Sequence, residues 1–123
     1  MSLFLMLTGG AEVPVAFWRV GDDGLSERFY HEVERALNDD QHIREASEGE
    51  NAPFALHSES NVIPLDRAGD AFSYRIILRE GASVQGVALA RFEGDCSGSI
   101  SQCADHLVAR VAKSVVSLTS TRK

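Results

Sequence analysis

The stretch from Phe72 to Leu118 limits the fold more than any other part of the chain. It reads FSYRIILRE, a turn at Gly81-Ala82, VQGVALARFEGD, and then ISQCADHLVARVAKSVVSL. In the last segment Ile100, Cys103, Ala104, Leu107, Val108, Val111, Val115 and Leu118 recur at spacings of three and four, the period of one helix face. Ser101, Gln102, Asp105, His106, Arg110, Lys113 and Ser114 occupy the rest of the cylinder. Ser99 with Gln102 three residues later fits a capping box, in which side chains satisfy the free N–H groups of the first turn. Asp105 early and Lys113 late agree with the helix dipole. A helix with one apolar stripe requires a surface to cover. The preceding hairpin supplies it, because Phe72, Tyr74, Ile76 and Leu78 alternate with Ser73, Arg75, Ile77 and Arg79. Core packing accounts for the whole stretch as a β-hairpin feeding a C-terminal helix.

Upstream, Val13–Val20 reads as a strand with apolar groups on both faces, which suits either an inner position or a strand with one packed and one wet face. Pro14 sits near its start, where a missing N–H is tolerated. Gly21-Asp22-Asp23-Gly24 is a turn, and Asp22 or Asp23 can cap the helix that follows. That helix spans Leu25–Asn38, with Leu25, Phe29, Val33, Ala36 and Leu37 inward and Ser26, Arg28, Glu32 and Arg35 outward. His42–Ala46 reads as a short strand, residues 48–53 as a polar loop and Phe54–Ser60 as another strand. Asn61–Leu65 reads as an irregular edge before a turn at residues 66–70. This order predicts an α+β fold: a mixed, mostly antiparallel sheet of four or five strands, with two helices on one face, in the order β-α-β-β-β-α. The expected organisation is one domain over 13–118, an apolar N-terminal segment over 1–12 and a frayed tail over 119–123.

A chain of 123 residues can build one core without metals or many disulfides. The formal charge of −6, with 12 scattered basic residues, argues against a nucleic-acid partner, which requires a concentrated basic face. No apolar run approaches the ~20 residues of a membrane span. Leu3, Phe4, Leu5, Met6 and Leu7 form an apolar run without a basic flank, so they are no complete signal peptide. The run is either a signal-peptide remnant or an edge strand, and through it a homodimer can form.

The two cysteines, Cys96 and Cys103, fall at the end of the hairpin and in the first turn of the helix. The C-x6-C spacing does not match zinc or thioredoxin motifs. A bridge would close a ring worth about 2–3 kcal/mol by chain entropy. The leading expectation is a structural disulfide in an oxidising compartment; two buried thiols in the cytosol are the alternative, and a redox-active pair the third. Among the four histidines none lies in a metal-ligand spacing, and His31 and His106 fall on outward helix faces. His57 and Glu59 share one side of a strand and form a weak acid–base candidate. Cys103 and His106 are the corresponding thiol dyad, but Cys103 belongs to the packed stripe. The aspartates at positions 22, 23, 39 and 40 lack a calcium-loop pattern, and no glycine motif for phosphates occurs. No metal and no cofactor are expected.

The run NVIPLDRAGDAFSYRIILREGASVQGVALARFEGDCSGSISQCADHLVARVAKSVV resembles short exported proteins of proteobacteria, through Asn61-Val62, Tyr74, Gly81, Cys96 and Cys103-Ala104. The FYHEVERALN helix fits the same group. The layout of strand, helix, strands and helix also resembles, more distantly, the amino-terminal domain of TolB, without its partner-binding residues. These resemblances imply an exported, periplasmic α+β protein; together with the absence of a catalytic constellation and the expected disulfide, they make the expectation a non-catalytic binding or accessory module whose partner is another envelope protein or a second copy. A cytoplasmic location, and a small hydrolase or thiol-dependent enzyme using Cys103/His106 or His57/Glu59, are the alternatives.

Overall fold

The computed structural model describes residues 12–68 and 71–121. The elements follow as β1 (Val13–Arg19), α1 (Gly24–Asp39), β2 (Ile43–Glu45), β3 (Phe54–Ser58), β4 (Ile63–Pro64), β5 (Ala71–Glu80), β6 (Ala88–Ser97) and α2 (Ile100–Thr121). The fold is α+β, with both helices on one face of a mixed sheet. β1 pairs in parallel with β2 on one side and β3 on the other, so of the two positions left open by its apolar faces it takes the inner one. β3 and β4 both pair antiparallel with one side of β5, and β6 pairs antiparallel with the other. The sheet therefore has six strands rather than four or five; the extra pairing is the two-residue β4, too short to show a period.

One core lies between sheet and helices. Val15, Phe54, Leu56, Phe72, Ile76, Leu78 and Phe92 face Phe29, Val33 and Leu37 of α1 and Leu107, Val108, Val111 and Val115 of α2. Every inward residue expected for α1 packs there. Tyr30 joins them, and Ser26, expected to face outward, is fully buried. Its hydroxyl accepts the Val62 N–H at 2.9 Å, so the turn of chain after β3 is hydrogen-bonded to the first turn of α1. Tyr30 reinforces this tie: its hydroxyl donates to the Ser60 carbonyl and accepts from the Ser58 hydroxyl, both at 2.5 Å. A helical wheel assigns a serine outward, and only the neighbouring chain could supply the donor that pulls Ser26 inside.

Both helix starts follow the sequence. Asp23 caps α1 by accepting the Ser26 N–H at 2.7 Å, and Ser99 caps α2 by accepting the Gln102 N–H at 3.2 Å. α2 runs to Thr121, past the tail expected from residue 119, and the Thr119 hydroxyl donates to the Val115 and Val116 carbonyls at 3.0 Å. Arg35 joins the helices: it pairs with Glu32 and Asp39 on α1 and with Asp105 on α2. Cys96 and Cys103 are joined in a disulfide, with Cα atoms 5.8 Å apart, which ties the end of β6 to the first turn of α2. The expectations placed on Leu3–Leu7, a signal-peptide remnant, an edge strand or a dimer contact, lie outside the described residues.

Candidate functional site

The sheet face without helices carries the chemistry worth weighing. Strand register aligns Trp18, His57, Ile77 and Arg91 in one row across β1, β3, β5 and β6. Arg79, two residues after Ile77, emerges on the same face opposite Ala55. The connection from β5 to β6 is no tight turn at Gly81-Ala82. It is a loop over residues 81–87 that folds back across this face. Two hydrogen bonds fix it there: Trp18 Nε1 donates to the Ala82 carbonyl at 2.7 Å, and Arg79 Nη1 to the Gly86 carbonyl at 3.0 Å. Gly81 permits the departure from β5 with a φ of +86°, a region open to glycine. At Gly86 a Cβ would stand 1.8 Å from the Glu80 carbonyl oxygen, so no larger residue fits. Ala55 and Ile77 are buried on this face, although neither points toward a helix.

Arg79 also organises the two residues singled out as an acid–base pair. Its Nε donates to His57 Nδ1 at 3.1 Å, and its Nη2 lies 3.4 Å from Glu59 Oε2. Burial first, and the guanidinium second, hold the His57 pKa below its usual value, while Glu59 pulls weakly the other way. A neutral imidazole that accepts at Nδ1 carries its proton on Nε2. The guanidinium thus occupies both the basic nitrogen and the carboxylate that a proton relay would use. The thiol candidate meets a different obstacle. Cys103 Sγ is bonded to Cys96, so no thiolate exists while the bridge stands, and His106 is exposed on the next turn of α2. Among the described residues no group of three His, Cys, Asp or Glu side chains is arranged to hold a metal ion.

An exposed apolar set surrounds the loop. Trp18 is 48% exposed yet held by its indole N–H, and Val84 and Val87 project from the loop it holds, Val87 at 66% exposure. A groove of about 590 Å³ runs beside Trp18, lined by Ala16, Phe17, Ala82 and residues 45–51. Its far wall is set by a two-pronged ion pair, Arg44 Nη1 and Nη2 to the Glu50 carboxylate at 2.9 and 2.6 Å, which with the Ser47 N–H lowers the Glu50 pKa to about 2. Glu45 at the groove is raised instead, by burial and then by Glu34 across from it on α1. The role of Trp18 escaped sequence reasoning because its partner lies 64 residues away. The one available signal was a lone tryptophan on the strand face opposite Val15 and Phe17.

No protein-family model and no curated protein sequence matches the chain. The chain matches solved structures at low identity, two bacterial proteins among them. One is a Caulobacter crescentus protein provisionally classed as a lipoprotein: 14% identical, covering 87% of this chain and 92% of that one, with a TM-score of 0.47. The other is a point variant of PelC from Paraburkholderia phytofirmans, solved as a dodecamer: 15% identical, covering 82% of this chain and 86% of that one, with a TM-score of 0.52. The chain is similar to PelC in fold. Neither structure is TolB, and the resemblance to TolB rests on layout alone.

Proposed function

We propose that the protein is a non-catalytic binding or accessory module of the bacterial envelope, exported to the periplasm, that works through protein–protein contacts. The observation that carries the reading is the exposed apolar set made by Trp18, held by its indole N–H on the sheet face without helices, and by Val84 and Val87 of the loop it holds. An aromatic side chain held in place loses little entropy on binding, and such residues dominate interface energies. The Cys96–Cys103 bridge supports export, since disulfides persist in oxidising compartments. The engagement of His57, Glu59 and Cys103 weighs against the enzymatic alternative. Assembly of PelC as a dodecamer supports a fold suited to protein contacts. A photo-crosslinking amino acid placed at Val84 or Val87 in the native host tests it. The expected result is one discrete heavier adduct in the periplasmic or envelope fraction, lost on Trp18→Ala and absent with the probe at His31 on α1. If neither loop probe gives an adduct, or if adducts form only in the cytosol, the reading is wrong.

A further inference from the structure

We infer that the free edge of β6 is a homodimer interface, in which two copies join antiparallel about a two-fold axis at Phe92 and their sheets become continuous. This deepens the binding-module reading by naming a partner, but it rests on a different surface from Trp18.

β6 pairs only with β5 among the described strands, so its other edge offers backbone donors and acceptors to a further strand. From Ala90 to Ser97 its register with β5 is unbroken, and the irregularity lies at the far end, between Leu78 and Arg79 on β5. On the face without helices this edge presents Arg91, Glu93 and Asp95, all exposed. Charges along an edge commonly prevent pairing. Here their order is self-complementary. A two-fold axis normal to the sheet keeps each side chain on its own face, so only odd residues oppose odd, and even oppose even. An axis at Arg91 sets two arginines against each other. An axis at Glu93 sets two glutamates together, and one at Gly94 sets Glu93 against Asp95. An axis at Phe92 places Arg91 opposite Glu93 of the second copy, twice, with no like charges opposed. Opposed charges in a cross-strand pair stabilise it, and like charges destabilise it. Within each chain Glu93 already pairs with Arg75 at 3.1 Å, which holds its carboxylate on that face. The joined edge would then carry an Arg75–Glu93–Arg91 row across the axis in each direction.

Sedimentation velocity over a concentration series tests the inference through charge reversal. Wild type should dimerise, and more weakly as salt is raised. Arg91→Glu opposes glutamates twice, and Glu93→Arg opposes arginines twice. Each should raise the dimer Kd roughly tenfold or more while leaving the far-UV circular dichroism unchanged. Mixing the two variants restores opposite charges at both positions, so a heterodimer should return with a Kd near wild type. Glu93→Arg also removes the in-chain pair with Arg75; if it fails to fold, R75E/E93R restores that pair inverted and takes its place in the mixture. A wild type that stays monomeric throughout, a single reversal that dimerises like wild type, or a mixture no tighter than its components overturns the inference. None of these outcomes touches the crosslinks expected at Val84 and Val87, so the two readings fail separately.

Discussion

At the scale of single residues, protonation and burial make the sharpest predictions. Burial disfavours the charged form of His57, and the Arg79 guanidinium, which uses its Nδ1 as an acceptor, disfavours it further. Its folded pKa lies below the ordinary 6.5, so the unfolded chain binds more protons as pH falls past that value. The stability this residue contributes is therefore complete above pH 6.5 and declines as pH drops toward the folded pKa. Urea denaturation across that range should show wild type losing stability relative to His57→Gln, with the two curves parallel above it. Glu45 has the opposite sign. Its folded pKa is raised above 4.5 by burial and by Glu34, so its folded form prefers the proton, and stability falls as pH rises through the raised value. Glu45→Gln should raise the urea midpoint at pH 7 and leave it unchanged at pH 4. Ser26 is a packing residue with a polar duty: Ser26→Ala leaves the buried Val62 N–H without its acceptor and should cost about 1–3 kcal/mol. Phe29, fully buried between Tyr30, Phe72 and Tyr74, should cost about 3–5 kcal/mol when cut to alanine.

At the scale of elements, the loop at residues 81–87 is the part whose behaviour departs most from its local sequence. Gly81 and Ala82 looked like a tight turn because glycine marks one. The chain instead leaves β5, crosses the face without helices and returns at Ala88, held by Trp18 and Arg79 from β1 and β5. Gly86→Ala drives a Cβ into the Glu80 carbonyl and should cost about 1–3 kcal/mol. Because Trp18 is the only tryptophan and donates to this loop, its emission should shift in the same variant; an unchanged spectrum would show that the loop does not pack as described. The expected acid–base pair met the same kind of surprise. His57 and Glu59 do lie on one side of the sheet, as their spacing suggested, but an arginine 20 residues from Glu59 stands between their roles. Periodicity reports which face a side chain occupies and is silent about which distant cation arrives there.

At the scale of the whole molecule, the disulfide is a covalent cross-link that ties the end of β6 to the first turn of α2. Reducing it, or making Cys96→Ser with Cys103→Ser, should lower stability by about 2–3 kcal/mol, as the closing of so short a ring predicts, and intact mass after alkylation without reductant should show no modified thiol in native protein. What the sequence determined by itself was the pair of amphipathic helices, a cap at Asp22 or Asp23 for the first and at Ser99 for the second, the β5–β6 hairpin and the α+β class that these require. All of these are set by local terms: the spacing of apolar residues, the competition of short polar side chains for end N–H groups, and the alternation of a pleated strand. The proximity of Cys96 to Cys103 was equally legible, since they are near in sequence and flank one turn. Tertiary structure alone decided that β1 is inner, that Ser26 is buried, that β4 pairs at all, that Trp18 and Arg79 pin a loop across the open face, and that β6 pairs with β5 alone among the described strands. Each of these depends on contacts between residues far apart in the chain, where the energy of a hydrogen bond or a packed ring is set by which partner the fold delivers, and no local pattern encodes the partner.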